Sequence, residues 1–238
     1  MKTVAIILSG GEGRRFSNKL PKQFVLIEGK PILFYTIEKF HSMEEIDEIV
    51  IVSHRDFVDY VKWIVSTGEF SKVRCVIEGG KERKDSTYNA LTILSEDDCE
   101  KVLIHDAVRP FVAKSVIRKC IATLDSHIAC AVAVPATDTV FELDDEKIAC
   151  IPNRKRMYLA QTPQGFHLSL IKKAYKKLMQ ETEAHFFSDD CGIFMHYLEK
   201  DVRIVEGNRE NIKLTYPQDE MYLREIFKEK LDEKLREK

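Results

Sequence analysis

Five short, β-branched apolar runs punctuate the first part of the chain: Val4–Leu8, Ile49–Val52, Val73–Ile77, Val102–Ile104 and Ala129–Val134. Runs of this length and composition read as buried strands. Helical patterns lie between them, near Ile32–Phe40, Phe57–Val65, Ser86–Leu94 and Val116–Leu124. Pro31 suits the first turn of the first helix, where its missing N–H has no partner to lose. Asp85 or Ser86 is placed to cap the third. This alternation predicts an α/β fold, a mostly parallel sheet with right-handed crossovers and helices on both faces. Ligands of such sheets sit beyond the carboxyl ends of the strands, so the chemistry is expected on one rim.

After Pro135 the pattern changes. Asp138–Leu143 and Lys147–Ile151 alternate on either side of Asp144-Asp145, which predicts a β-hairpin within residues 136–156 that projects from the main sheet. Met157–Phe166 reads as a connecting segment near the site, and Leu168–Leu178 as an amphipathic helix with a basic, solvated outer face. Ser188, Asp189 and Asp190 are placed to cap a helix containing Ile193, Phe194, Tyr197 and Leu198. Glu220–Lys238 reads as a solvated cover helix with a thin apolar stripe of Tyr222, Ile226 and Leu231.

The whole chain, 238 residues, suffices for one α/β domain with a real core. Apolar residues make up 44% and charged residues 32%, which excludes a disordered chain. A net charge of −2 gives no general case for nucleic-acid binding, so any basic cluster is a local feature. No apolar run approaches the ~18–20 residues of a membrane helix, and the N-terminus reads as a core strand, not a signal peptide. Six cysteines occur without a C-x-x-C pair and read as reduced thiols of a cytoplasmic protein.

Chemistry concentrates first in Ser9–Gln23, directly after the first strand. Gly10, Gly11 and Gly13 remove three Cβ atoms from one turn, so backbone N–H groups can close on a ligand. Arg14, Arg15, Lys19 and Lys22 add four positive charges. A polyphosphate needs this combination, although a surface loop with solvated charges has the same composition. A P-loop is excluded by its spacing, and the dinucleotide fingerprint by Phe16 at its third glycine position. Further along the rim, Gly79-Gly80 end the third strand and Asp85-Ser86 open a helix. Asp106 and Arg109, three residues apart in His105–Pro110, suit Mg²⁺ and a phosphate, or equally each other as a salt bridge. His105 reads as a packed or hydrogen-bonded residue.

The glycine loop, Arg14-Arg15, Pro21-Lys22-Gln23, His105–Pro110, Gln161–Gln164 and Asn211–Thr215 together resemble the sugar-phosphate nucleotidylyltransferases. Within them the chain is most similar to the cytidylyltransferases acting on 2-C-methyl-D-erythritol 4-phosphate. That resemblance implies a Rossmann-like α/β domain, CTP and a polyol phosphate as substrates, Mg²⁺ held by Asp106, and no nucleic-acid or membrane partner. It implies that Arg15, Lys22 and Lys213 hold the α-phosphate. Ser9, Gly10, Gly11, Gly13, Gly80, Ser86, Asp106 and Ala107 would line the nucleotide site, and Arg109, Thr139, Arg154 and Ser188 would hold the acceptor. It implies also that the hairpin is an arm that crosses to a second subunit in a homodimer; an ordinary edge hairpin is the alternative.

The chain departs from the family at three places. Ser9 and Gly10 stand where alanines are frequent, Lys81 stands for an aspartate, and Asp190-Cys191 replace Glu-Ala. The ribitol 5-phosphate cytidylyltransferases share many of these motifs, whereas Asp85–Asn89 and Asp138-Thr139 look more like the methylerythritol enzymes. A non-catalytic nucleotide-sensing module on the same fold would need neither Lys22 nor Lys213.

Overall fold

The computed structural model describes residues 2–11, 20–97, 99–182 and 185–236, with side chains described as far as residue 230. Its strands are β1 (Thr3–Ser9), β2 (Leu26–Ile27), β3 (Lys30–Pro31), β4 (Glu48–Ser53), β5 (Val73–Glu78) and β6 (Lys101–Asp106). They continue with β7 (Ala129–Pro135), β8 (Glu142–Asp144), β9 (Lys147–Cys150), β10 (Tyr158–His167) and β11 (Arg203–Glu206). The helices are α1 (Ile32–His41), α2 (Val58–Thr67), α3 (Arg83–Ile93), α4 (Lys114–Ser126), α5 (Leu168–Gln180), α6 (Asp190–Leu198) and α7 (Pro217–Arg236).

Seven strands form one sheet in the order β11-β7-β10-β6-β1-β4-β5. All neighbours are parallel except β10, which runs antiparallel to both β6 and β7. The continuous apolar runs follow from burial on both faces. In β1, Ala5 and Ile7 pack with α1, α2 and α4, while Val4 and Ile6 pack with α3, α5 and α6. A third cluster joins α7 to the β2–β3 ribbon through Ile27, Ile32, Leu223 and Ile226. Register brings the carboxyl ends together: Leu8 lies opposite Asp106, Ser9 opposite Ser53, and Ser53 opposite Glu78. One rim therefore collects the loops after β1, β4, β5 and β6.

Several local expectations are corrected. The segment holding Gln161–Gln164 is no connector: it is an inner strand, with Pro163 at the register shift between Ala160 and Gln164. A proline is tolerated in a strand where the ladder is already broken. The third helix begins at Arg83, capped by Glu82 and Asp85 in a reciprocal capping box, and not by Ser86. Asp189 alone caps α6, accepting from Gly192 N–H at 2.9 Å. The hairpin is shorter than its alternation suggests, because its first strand starts only at Glu142. Pro31 lies at the N-cap of α1, just ahead of the first turn. Among the described side chains of α7 the buried positions are Leu223 and Ile226, whereas Tyr222 stays half exposed; Leu231 lies outside the described side chains.

Phe166 on β10 is completely buried against Phe194, ring centroids 5.2 Å apart. Phe166→Ala is expected to cost about 3–5 kcal/mol, the range for emptying a buried aromatic site. Denaturant unfolding measures it, and a loss below about 1 kcal/mol would contradict this packing.

Candidate active site

A cavity of about 870 Å³ opens at that rim, and its wall includes Gly10, Gly11, Lys22, Arg83, Asp106 and Lys213. Residues from both ends of the chain meet here. The glycine loop is stitched from behind by Gln23, whose Nε2 donates to Ser9 O at 2.8 Å and to Gly11 O at 3.1 Å. Gln23 is buried, and Phe24 beside it packs on Phe57 and Tyr60. These two anchors bury the turn and leave Lys22 on the cavity wall. Ser9 Oγ is buried and has no hydrogen-bond partner among the described residues. Arg15 and Gly13 lie outside the described residues.

The loop after β5 is held by Ser86. Its Oγ accepts from Gly80 N–H at 3.1 Å and donates to Glu82 O at 3.2 Å. A Cβ on Gly79 would lie 2.8 Å from that oxygen, so the approach requires glycine. Both Gly80 and Ser86 line the cavity, but the serine hydroxyl and the Gly80 N–H already serve each other.

At the end of β6 the Asp106 carboxylate faces three cations. Lys213 Nζ lies 2.9 Å from Oδ2, Arg109 Nε 3.5 Å from Oδ2, and Arg83 Nε 3.7 Å from Oδ1. Burial alone would raise the Asp106 carboxyl, but Lys213, Arg83 and Arg109 overcome it and hold it far below the usual carboxylate range. Arg83 also pairs with the fully buried Asp190, Nη1 to Oδ2 at 2.7 Å. Asp190 in turn accepts from Tyr175 Oη at 2.5 Å. The acidic pair at the start of α6 is therefore tied to the cavity through Arg83. Sequence reasoning missed that arginine, although its place between Gly79-Gly80 and Ser86 was a usable signal.

Arg109 does not line the cavity. Its Nη1 donates to Asn211 O at 2.7 Å, and Asn211 Nδ2 donates to Thr162 O at 2.9 Å. Leu214 N–H bonds Val108 O at 3.1 Å, with the Leu214 side chain fully buried. Lys213 is thus fixed between two anchored neighbours. Ala107 lines the cavity; Thr139, Arg154 and Ser188 do not, and all three are exposed. Arg154 Nη1 donates instead to Thr137 O at 3.0 Å.

His105 is fully buried. Thr162 Oγ1 accepts from Asp106 N–H at 3.1 Å, so its own proton goes to His105 Nδ1 at 2.9 Å. His105 Nε2–H then donates to Arg109 O at 3.1 Å. Burial pushes this imidazole down to about 4 from 6.5. It has no proton to take or give near neutrality.

Among the described residues, no helix is long and apolar enough to cross a membrane. The six cysteines are free thiols.

A family model for 2-C-methyl-D-erythritol 4-phosphate cytidylyltransferase matches residues 3–229. A 2-C-methyl-D-erythritol 4-phosphate cytidylyltransferase of Clostridium botulinum is 40% identical over 232 residues, 97% of this chain and 99% of that protein. A bifunctional ribulose 5-phosphate reductase/CDP-ribitol pyrophosphorylase of Haemophilus influenzae is 44% identical over 230 residues, 95% of this chain. The chain spans about half of that second relative, 48% of its length. The crystal structure of a 4-diphosphocytidyl-2C-methyl-D-erythritol synthase from Anaerococcus prevotii superposes with a TM-score of 0.84 at 30% identity, covering 95% of this chain and 96% of that one.

The neutral His105 gives the fold an acid sensitivity. Above pH 6.5 the imidazole is neutral in both folded and unfolded chains and contributes nothing. As pH falls from 6.5 towards about 4, the unfolded chain takes up a proton that the folded one refuses. The loss over that window is on the order of 3 kcal/mol. Unfolding free energies across the window should fall less steeply for His105→Asn than for the wild type, and identical acid slopes would contradict the assignment.

Proposed function

Because the chain belongs to the 2-C-methyl-D-erythritol 4-phosphate cytidylyltransferase family, we propose that its rim cavity joins CTP to that polyol phosphate and releases pyrophosphate. The chain is a nucleotidyltransferase, and the product would enter isoprenoid precursor synthesis by the non-mevalonate route. The observation that carries this reading is the meeting of Lys22 and Lys213, from opposite ends of the chain, on one glycine-walled cavity.

The acceptor's phosphate monoester is already ionised at neutral pH and attacks the α-phosphorus of CTP in line. A general base is unnecessary, in keeping with a buried, fully engaged His105. The obstacles are repulsion between anions and charge on the transferring group, so catalysis is positioning plus electrostatic stabilisation. Lys22 and Lys213 hold the α-phosphate oxygens, with the amides of Gly10 and Gly11 beneath the phosphates; the family resemblance assigns Arg15 and Gly13 to the same nucleotide. Ser9 Oγ, buried without a described partner, offers a further polar contact. Gly80 has committed its N–H to Ser86, so its carbonyl is what remains to accept from the cytosine amino group. Ala107 lines the floor beside Asp106. Asp106 suits one hard oxygen position for Mg²⁺, the triphosphate supplying others, and the ion would neutralise charge between phosphates.

On the acceptor side, Arg109 acts by fixing Asn211 and thereby Lys213. Thr139 and Arg154 are assigned to the acceptor's phosphate as part of an arm reaching a second copy of the chain, which makes the working form a homodimer. Ser188 completes the acceptor contacts. The six thiols suit a reducing cytoplasm.

Ribitol 5-phosphate is the second reading, favoured by the 44% identity to the Haemophilus influenzae protein and by Asp190-Cys191 at the start of α6. A pyrophosphate-release assay with CTP and each polyol phosphate separates them. Faster turnover of 2-C-methyl-D-erythritol 4-phosphate is expected; a preference for ribitol 5-phosphate transfers the assignment. CTP binding without release from either acceptor would leave a nucleotide-sensing module.

Lys22→Ala and Lys213→Ala are each expected to lower kcat by about 10²–10³, the loss of one preorganised oxyanion donor, ~2.7–4 kcal/mol. Near-wild-type turnover would remove both lysines from the mechanism. Arg154→Ala should raise KM for the acceptor more than KM for CTP. Equal changes would mean that the hairpin does not touch the acceptor.

A further inference from the structure

A second cluster of ligand-type side chains lies outside the cavity, where the end of α5 meets α6. Glu181, the C-cap of α5, and His185 in the following link face His196 on the last turn of α6. One carboxylate oxygen and one ring nitrogen from each histidine all lie within 4.8 Å of one another. We propose that Glu181, His185 and His196 form a binding site for a divalent transition-metal ion of the zinc class.

Zinc bonded to two imidazole nitrogens and a carboxylate oxygen at about 2.0–2.2 Å sets its ligand atoms roughly 3.3–3.5 Å apart. Glu181 Oε1 and His185 Nε2 already meet this at 3.3 Å. His196 presents its ring nitrogen within 4.8 Å of both and closes the triangle by a shift of about an ångström. The donors also select the metal. Imidazole nitrogens suit Zn²⁺, Cu²⁺ and Ni²⁺, whereas Mg²⁺ and Ca²⁺ prefer oxygen alone. The site is therefore chemically distinct from the Asp106 position.

The surroundings support a built site. Glu181 presents one oxygen to His185 while the other accepts from the Tyr197 hydroxyl. That bond orients the carboxylate and leaves its second oxygen for a ligand, as outer contacts of metal sites do. Phe187 stands against both imidazoles, its ring centroid 5.3 Å from His196 and 6.1 Å from His185, and Tyr197 crosses His196 edge-on at 4.7 Å. These rings restrict the imidazoles to few orientations. An ion here would staple the end of α5 to α6 across the link that carries Ser188 and Asp189.

Isothermal titration of the full chain with Zn²⁺, in excess Mg²⁺ and without chelator, tests the site. One-to-one binding is expected, weakened about 100-fold or more in His185→Ala and His196→Ala by loss of a ligand, and about tenfold in Tyr197→Phe by loss of the orienting bond. Zn²⁺ should also raise the Tm of the wild type and of neither histidine variant, since only a folded site binds it. The two histidines are surface positions, and far-UV circular dichroism verifies that the variants fold. Absence of one-to-one binding overturns the proposal. So does binding that survives both histidine variants, whether at the exposed Cys150 thiol or elsewhere.

Discussion

The Asp106 carboxylate, at the end of a fully buried strand, organises the rim. Lys213, Arg109 and Arg83 approach it from three different segments. A buried ion pair rarely repays the cost of leaving water, so this cluster is poor evidence for stability. Its yield is placement. Each cation that would otherwise sweep solvent is held at a fixed point above the sheet, and Arg83 carries the arrangement on to Asp190 and the start of α6. Two carboxylates against three cations leave one positive charge in a low-dielectric recess. That excess is the electrostatic condition a polyphosphate site requires.

Placement depends as much on neutral contacts as on charged ones. Gln23 holds the carbonyls of the glycine loop, Ser86 holds the turn after β5, and Asn211 holds the segment before Lys213. Each is an interior side chain bonded to backbone; Gln23 lies next to Lys22, Asn211 two residues before Lys213, and Ser86 itself lines the cavity. Thr162 links two of these layers: it accepts from Asp106 N–H and fixes the proton of His105 on Nε2. A nucleotide would thus meet donors whose positions are set before it arrives, and the cost of ordering them has already been met by folding.

Much of this was legible in the chain itself, for a physical reason. Strands β1, β4, β6 and β7 are buried on both faces, so each announces itself as an uninterrupted apolar run; the edge strand β5 is only half-buried and still shows Val73 and Cys75–Ile77. β10 was hidden because its middle carries Gln161, Thr162 and Gln164, polar groups that bond across the layers rather than avoid the core. β11 was hidden because it is short and its outward side chains are exposed at the sheet edge. The fold class survived these omissions, since the parallel crossovers alone define the rim. Of the residues on the cavity wall, Lys22, Gly10 and Gly11 stood out by composition and spacing, Asp106 by spacing with a salt bridge as the equal alternative, and Lys213 through the family resemblance, whereas Arg83 was passed over. Its partner Asp190 stands far away in sequence, and only the packing of α3 against α5 and α6 brings the two together.

The residues assigned to the acceptor stand apart from the cationic rim. Arg109 faces inward, and Thr139, Arg154 and Ser188 stand clear of the cavity wall. The hairpin that follows β7 has no buried residue in either strand, and Phe141, Leu143, Ile148 and Ile151 are each more than half exposed. An isolated two-stranded ribbon is marginal in water, and one with apolar side chains turned outward needs a surface to cover them. The second copy of the chain proposed above would supply such a surface and at the same time bring a basic segment, Arg154–Arg156, towards an anionic acceptor. Under that arrangement the nucleotide half of the site is a property of the fold, and the acceptor half a property of the assembly. Acceptor specificity would then vary with the hairpin and the loop before α6 while the cationic rim stays unchanged.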